Sequence, residues 1–216
     1  MITLINHQGL KVLEGIQLQS PSPSIGLAYI GAFLRKHGCD YTAIDACGEA
    51  LESVRPYAGD KGVYIQGLTN DQVLARVPVG SRIIWFTCLF SPSWPLVYDL
   101  ANAIRKKFPD ALFVLGGEHG TALPEQVLKS STFDVIVMGE GEETFLEIVR
   151  CVQRNQDWKG IDGIAYFESG ELQRTAARKR VTDIDNFPHP DWDRWSIREY
   201  IAMGQVTGIN LGRQMP

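Results

Sequence analysis

The stretch that most constrains this chain is Ala111-Leu112-Phe113-Val114-Leu115-Gly116-Gly117-Glu118-His119-Gly120. Large apolar residues run straight into a glycine pair. Such a run reads as a strand buried on both faces, as inside a parallel sheet. The glycines let the backbone turn with no Cβ in the way. In an open α/β sheet, ligands bind at that carboxyl end. The rest of the chain can be placed around this strand.

The 216 residues allow one sizeable α/β domain plus an appendage. With 44% hydrophobic and 21% charged residues, the chain can bury a real core. A formal net charge of -4 argues against nucleic-acid binding. The basic cluster Arg174, Arg178, Lys179 and Arg180 reads as a solvated patch. Met1 to Ile5 is a short strand and not a signal peptide, and no apolar run approaches the ~18 residues of a membrane span. Cys39, Cys47, Cys88 and Cys151 are scattered without a CxxC or metal-site spacing. That usage fits a reducing cytoplasm.

In chain order, Ile2 to Asn6 is the first strand, followed by a long Gly-, Gln-, Ser- and Pro-rich loop from His7 to Pro23. Loops of that length are often functional. Ser24 is placed to cap a helix running to His37, closed by Gly38. Asp40 to Ala46 is the second strand. Gly48 to Val54 suggests a helix, Val63-Tyr64-Ile65 is ambiguous, and Asp71 to Val77 looks helical. Arg82 to Phe90 is a doubly buried strand, and Pro95 opens the helix after it. Helices around Pro124 and after Gly141 flank a fifth strand, Asp134 to Met138. The alternation predicts a flavodoxin-like, Rossmann-like α/β fold: a five-stranded parallel sheet with helices on both faces. A β-hairpin signal follows in Ile164 to Arg174. The expected division is an α/β domain over 1–155, a hairpin appendage over 156–180 and a connector over 181–216.

Three strand ends converge on one edge: Thr87-Cys88-Leu89-Phe90, Gly116-Gly117-Glu118-His119 and Gly139-Glu140-Gly141-Glu142. The first loop opens on the same edge. Small residues at adjacent strand ends predict a slot able to take the tail of a long ligand. Glycines also make plain tight strand-to-helix turns. No GxGxxG follows the first strand and no GxxxxGK[ST] is present, so nicotinamide and P-loop sites are poorly supported. Among the histidines, His119 is best placed for a site. His37 reads as a helix-end cation, His189 as structural and His7 as a loop residue. Cys88 reads as a small hydrophobe more readily than as a nucleophile.

The chain resembles the cobalamin-binding domain of cobalamin-dependent radical S-adenosylmethionine enzymes. The likeness lies in Pro23 to Gly38, Leu115 to Pro124, Val137 to Phe145, Gly163 to Tyr166, Asp183 to Asp193 and Gly212 to Pro216. The resemblance implies cobalamin at the carboxyl edge, its nucleotide tail beside Thr87, Cys88, Leu89, Phe90, Gly116 and Gly117. It implies that Glu118, His119, Met138, Gly139, Glu140 and Gly141 flank the tail, and that Gln8, Ser24, Ile25 and Gly26 meet the corrin. No residue is assigned to a metal, because the DxHxxG loop that gives methionine-synthase-like domains a cobalt-ligating histidine is absent; here it reads His7-Gln8-Gly9-Leu10. The CxxxCxxC of the family's iron-sulfur domain is absent too. The parent enzyme is expected to use S-adenosylmethionine and a 4Fe-4S cluster as well as cobalamin, in methyl transfer or rearrangement at an unreactive carbon. This chain is expected to be the part before the radical domain, and not catalytic alone. A cobalamin carrier or sensor, and a flavin- or nucleotide-binding flavodoxin-like domain, stand as alternatives.

Overall fold

The computed structural model describes residues 1–12, 21–58, 60–182 and 184–203. Its strands are β1 (Ile2–Asn6), β2 (Gly9–Val12), β3 (Thr42–Asp45), β4 (Val54–Pro56), β5 (Val63–Gln66), β6 (Ile83–Thr87), β7 (Leu112–Gly116), β8 (Val135–Val137), β9 (Ile164–Glu168) and β10 (Glu171–Arg174). Its helices are α1 (Ile25–Lys36), α2 (Asn70–Arg76), α3 (Trp94–Arg105), α4 (Glu118–Ala122), α5 (Pro124–Ser130), α6 (Glu142–Gln153) and α7 (Ile197–Met203).

The main sheet has seven strands in the order β10-β9-β8-β7-β6-β1-β3. This corrects the expected five-stranded parallel sheet. Strands β3, β1, β6, β7 and β8 run parallel to one another. β9 then pairs antiparallel with β8, and β10 with β9. The pair turns at Ser169 and Gly170, both at positive φ. β9 is no appendage: Ile164 and Ala165 are fully buried, because it covers the β8 edge that would otherwise be unpaired.

Alternation along the strands sends side chains to two cores. Ile2, Leu4, Ile83, Trp85 and Val114 pack under α1 and α6. Ile5, Ile84, Phe86, Phe113 and Leu115 pack under α2, α3 and α5. Burying a side chain of this kind contributes about 1.5–3 kcal/mol, so both faces are needed to hold the sheet.

A second sheet, β2-β5-β4, is antiparallel. It was not expected. β2 begins inside the stretch read as loop, whose residues 13–20 lie outside the described residues. The helix expected over Gly48 to Val54 is a single 3₁₀ turn, Gly48–Ala50, followed by β4. α2 is fixed by a capping box in which Thr69 and Gln72 bond each other's backbone N–H groups.

The chain after β10 returns across the α1 side. Phe187 stacks on Phe33 at 5.2 Å. The buried carboxylate of Asp191 accepts hydrogen bonds from Arg35 and from the Tyr41 hydroxyl, each at 2.9 Å. Burial, and that bond to a carboxylate, raise the Tyr41 pKa, so the phenol stays protonated. Trp195 lies in the α1/α6 core.

Candidate functional site

The strand order reverses at β1: β3 lies on one side of it and β6 on the other. A crevice outside the strand ends is expected at such a point. A cleft of about 300 Å³ opens there. Its walls are Asn6 to Leu10 after β1, Pro21 to Ile25 before and at the start of α1, Cys47 after β3, and Thr87, Leu89, Phe90 and Ser93 after β6.

Of the residues expected at a site, Gln8, Ser24, Ile25, Thr87, Leu89 and Phe90 meet in this cleft. Ile25, Leu89 and Phe90 are exposed there and give the cleft an apolar rim. Ser24 precedes α1 but its side chain makes no cap hydrogen bond. Gly26 is exposed and a Cβ added there would meet only open space, but it does not line the cleft. Gln8 is almost fully buried. Its Nε2 donates to the Leu68 carbonyl at 3.2 Å and to Asn70 Oδ1 at 2.8 Å, while its Oε1 has no donor.

Glu118, Met138, Gly139 and Glu140 lie elsewhere, around a second cavity of about 450 Å³ beyond β8. Its other wall is the segment from Ala177 to Val181. Arg178 holds that segment to α6, donating to Thr144 Oγ1 at 2.8 Å, Glu143 at 3.2 Å and Glu147 at 2.7 Å. Burial, with Glu140 and Glu143 close by, raises the Glu142 pKa. The sequence cluster of basic residues is therefore partly an ion-pair clamp.

Cys88, Gly116, Gly117, His119 and Gly141 line neither cavity. Cys88 is fully buried, which pushes its thiol up to about 12. His119 bonds Ser91 Oγ at 3.0 Å through Nδ1 and packs on Trp94 at 4.8 Å; burial lowers its pKa. Gly117 has φ +99, and a Cβ there would stand 2.5 Å from the Cys88 carbonyl oxygen. The expected slot beside Gly116 is filled. A Cβ at residue 116 would stand 2.2 Å from the indole of Trp85, and one at residue 141 would approach it to 3.1 Å.

Sequence reasoning missed Asn6 and Cys47, and gave His7 little weight. His7 lines the cleft, and its Nδ1 pairs with the Gln8 carbonyl. Burial lowers its pKa, so the ring is neutral. Asn6 reaches the cleft floor because Asp45 holds it: Asp45 Oδ1 accepts from Asn6 Nδ2 at 2.8 Å, Gly48 N at 2.9 Å and the Tyr200 hydroxyl at 3.1 Å. Asp45 Oδ2 has no partner, and burial raises the carboxyl pKa. An acidic residue ending one strand, a glycine three residues on and an asparagine ending the neighbouring strand were the available signal. Among the described residues, no group of three His, Cys, Asp or Glu side chains is placed to hold a metal, and no helix is long and apolar enough to cross a membrane.

Comparison with known proteins shows the family. Over 188 residues the chain is 28% identical to an uncharacterized methyltransferase of Pyrococcus horikoshii, covering 87% of this chain and 37% of that protein. It is 24% identical over 201 residues to the cytidylyl-2-hydroxyethylphosphonate methyltransferase of Streptomyces wedmorensis (83% and 38%). It is 27% identical over 210 residues to the anaerobic magnesium-protoporphyrin IX monomethyl ester cyclase of Cereibacter sphaeroides (94% and 31%). The chain thus spans about a third of the length of these relatives. Among solved structures, the cobalamin-dependent S-adenosylmethionine radical enzyme OxsB, with aqua-cobalamin and S-adenosylmethionine bound, superposes with a TM-score of 0.65 at 18% identity, covering 89% of this chain and 24% of that one. The radical S-adenosylmethionine methyltransferase TsrM of Kitasatospora setae gives 0.62 at 14% identity, covering 99% and 35%. Those two likenesses establish the fold. The model of the B12 binding domain matches residues 15–149, which take in α1, the sheet from β3 to β8 and most of α6. By that match the chain belongs to the B12-binding domain family.

Proposed function

We infer that this chain is the cobalamin-holding module of a larger radical S-adenosylmethionine enzyme. The observation that carries the reading is the cleft at the β1/β6 reversal, inside a fold whose family binds B12. The relatives' length and names support a parent protein that transfers a methyl group or closes a ring at an unreactive carbon. S-adenosylmethionine and a 4Fe-4S cluster would sit on a further domain of that protein, with the cytoplasm as its compartment.

The residues fit a corrinoid at the cleft. The exposed Ile25, Leu89 and Phe90 offer apolar contact to a flat macrocycle. Gln8 Oε1, a buried acceptor without a donor, suits a peripheral amide, since leaving it unpaired costs about 1–3 kcal/mol. The residues beside Gly116 do not fit a tail as they stand, because Trp85 fills that space. Glu118, His119, Met138, Gly139, Glu140 and Gly141 would flank the bound group more distantly. When bound, cobalamin supplies the group-transfer and redox chemistry, and the chain binds and orients it.

The test is direct. The purified chain is mixed with hydroxocobalamin, desalted and scanned. Retained corrin bands near one equivalent support the reading. Loss of those bands, with flavin mononucleotide retained in a parallel run, would replace it with a flavin-binding role.

A further inference from the structure

Trp85 stands in β6 with its side chain on the α1/α6 face, the face that Thr87 also takes two residues on. Its indole leans sideways over β7 and occupies the volume that Gly116 and Gly141 leave empty. Phe145 of α6 packs against it at 4.4 Å. The residue is 2% exposed, and its Nε1–H is buried without an acceptor. Buried tryptophans usually satisfy that donor. Two glycines therefore frame a pocket, and the pocket holds a side chain whose one polar group is bonded to nothing. The open cleft lies across Thr87 from it, between the tips of β6 and β1.

We propose that Trp85 determines which corrinoids enter this domain: its indole occludes the space between the β6 and β7 tips, so a corrinoid carrying a nucleotide arm binds only when the indole turns out, while one without the arm seats on the cleft directly. This deepens the cobalamin reading and rests on it. Turning out breaks the packing on Phe145 but forfeits no hydrogen bond, since Nε1 has none to lose. Exposing an indole that is 2% exposed in the core keeps the turned-out form a minor state. Apparent affinity falls by the fraction of protein in the competent state. Gly116 and Gly141 in turn provide the space the arm would take, because neither has a Cβ to fill it once the indole has left.

The experiment compares association of hydroxocobalamin with that of diaquacobinamide, which has the same corrin and no nucleotide arm, by stopped-flow absorbance. The wild-type chain is expected to take cobinamide at least about tenfold faster, as for a competent state populated at roughly a tenth or less. Trp85→Ala is expected to remove the difference by accelerating cobalamin and leaving cobinamide unchanged, with Trp85→Phe in between. Equal rates for both corrinoids in the wild-type chain overturn the proposal, as does a rate ratio unmoved in a folded variant. The wild-type comparison needs no substitution, so an unfolded Trp85→Ala does not block the test. If neither corrinoid is retained, the cobalamin reading itself fails, and this proposal with it.

Discussion

Gly117 takes a conformation that side chains rarely adopt, and its missing Cβ faces the Cys88 carbonyl. Gly117→Ala therefore combines backbone strain with a collision, and is expected to lower stability by about 1–3 kcal/mol, read as a fall in the urea midpoint. Asp45 tests a different cause. Burial raises its pKa above the ordinary 3.8, so the native state holds the proton more tightly than the unfolded chain. Stability from this group is full below the ordinary value and declines as pH rises through the raised one. Asp45→Asn removes the titration. Relative to that variant, the wild-type chain should lose stability from about pH 4 upward and then level off. A difference that stays constant with pH would contradict it. The sequence identified the residue types at the strand ends but not their directions. Glycines beside a buried strand read as a slot, yet a tryptophan one strand away reaches over to fill it, and nothing in periodicity encodes such a lateral reach.

At the scale of elements, long apolar stretches were legible. β1, α1, β6, β7 and α6 fall where the pattern puts them, because each buries a continuous face. The small sheet was not legible. β4 and β5 are short and largely half-buried or exposed, so they carry no clean alternation, and a nearby Gly-Glu-Ala mimics a helix start. The segment after β10 is held partly through one buried carboxylate, which makes it testable. Asp191→Ala strips the partner from both Arg35 and the buried Tyr41 hydroxyl. The expected cost is about 1–3 kcal/mol, together with faster proteolysis between residues 184 and 195. Unchanged cleavage there would mean that Phe187 and Trp195 anchor the segment without the carboxylate.

For the whole molecule, two cores share one sheet, so neither face can open alone. Acid sensitivity should follow from groups on both sides of it. Burial lowers the pKa of His7 and His119 below the ordinary 6.5, so the unfolded chain takes up protons first as pH falls. Stability contributed by these rings is present above that value and is lost below it. His119→Asn should flatten part of the decline between about pH 6.5 and 5 in a thermal-melt series. α7 gives the fold one more property. Its buried residue, Tyr200, touches the carboxyl that steadies Asn6 at the cleft floor. The seating of α7 is thus linked, through one shared carboxylate oxygen, to the asparagine on the cleft floor.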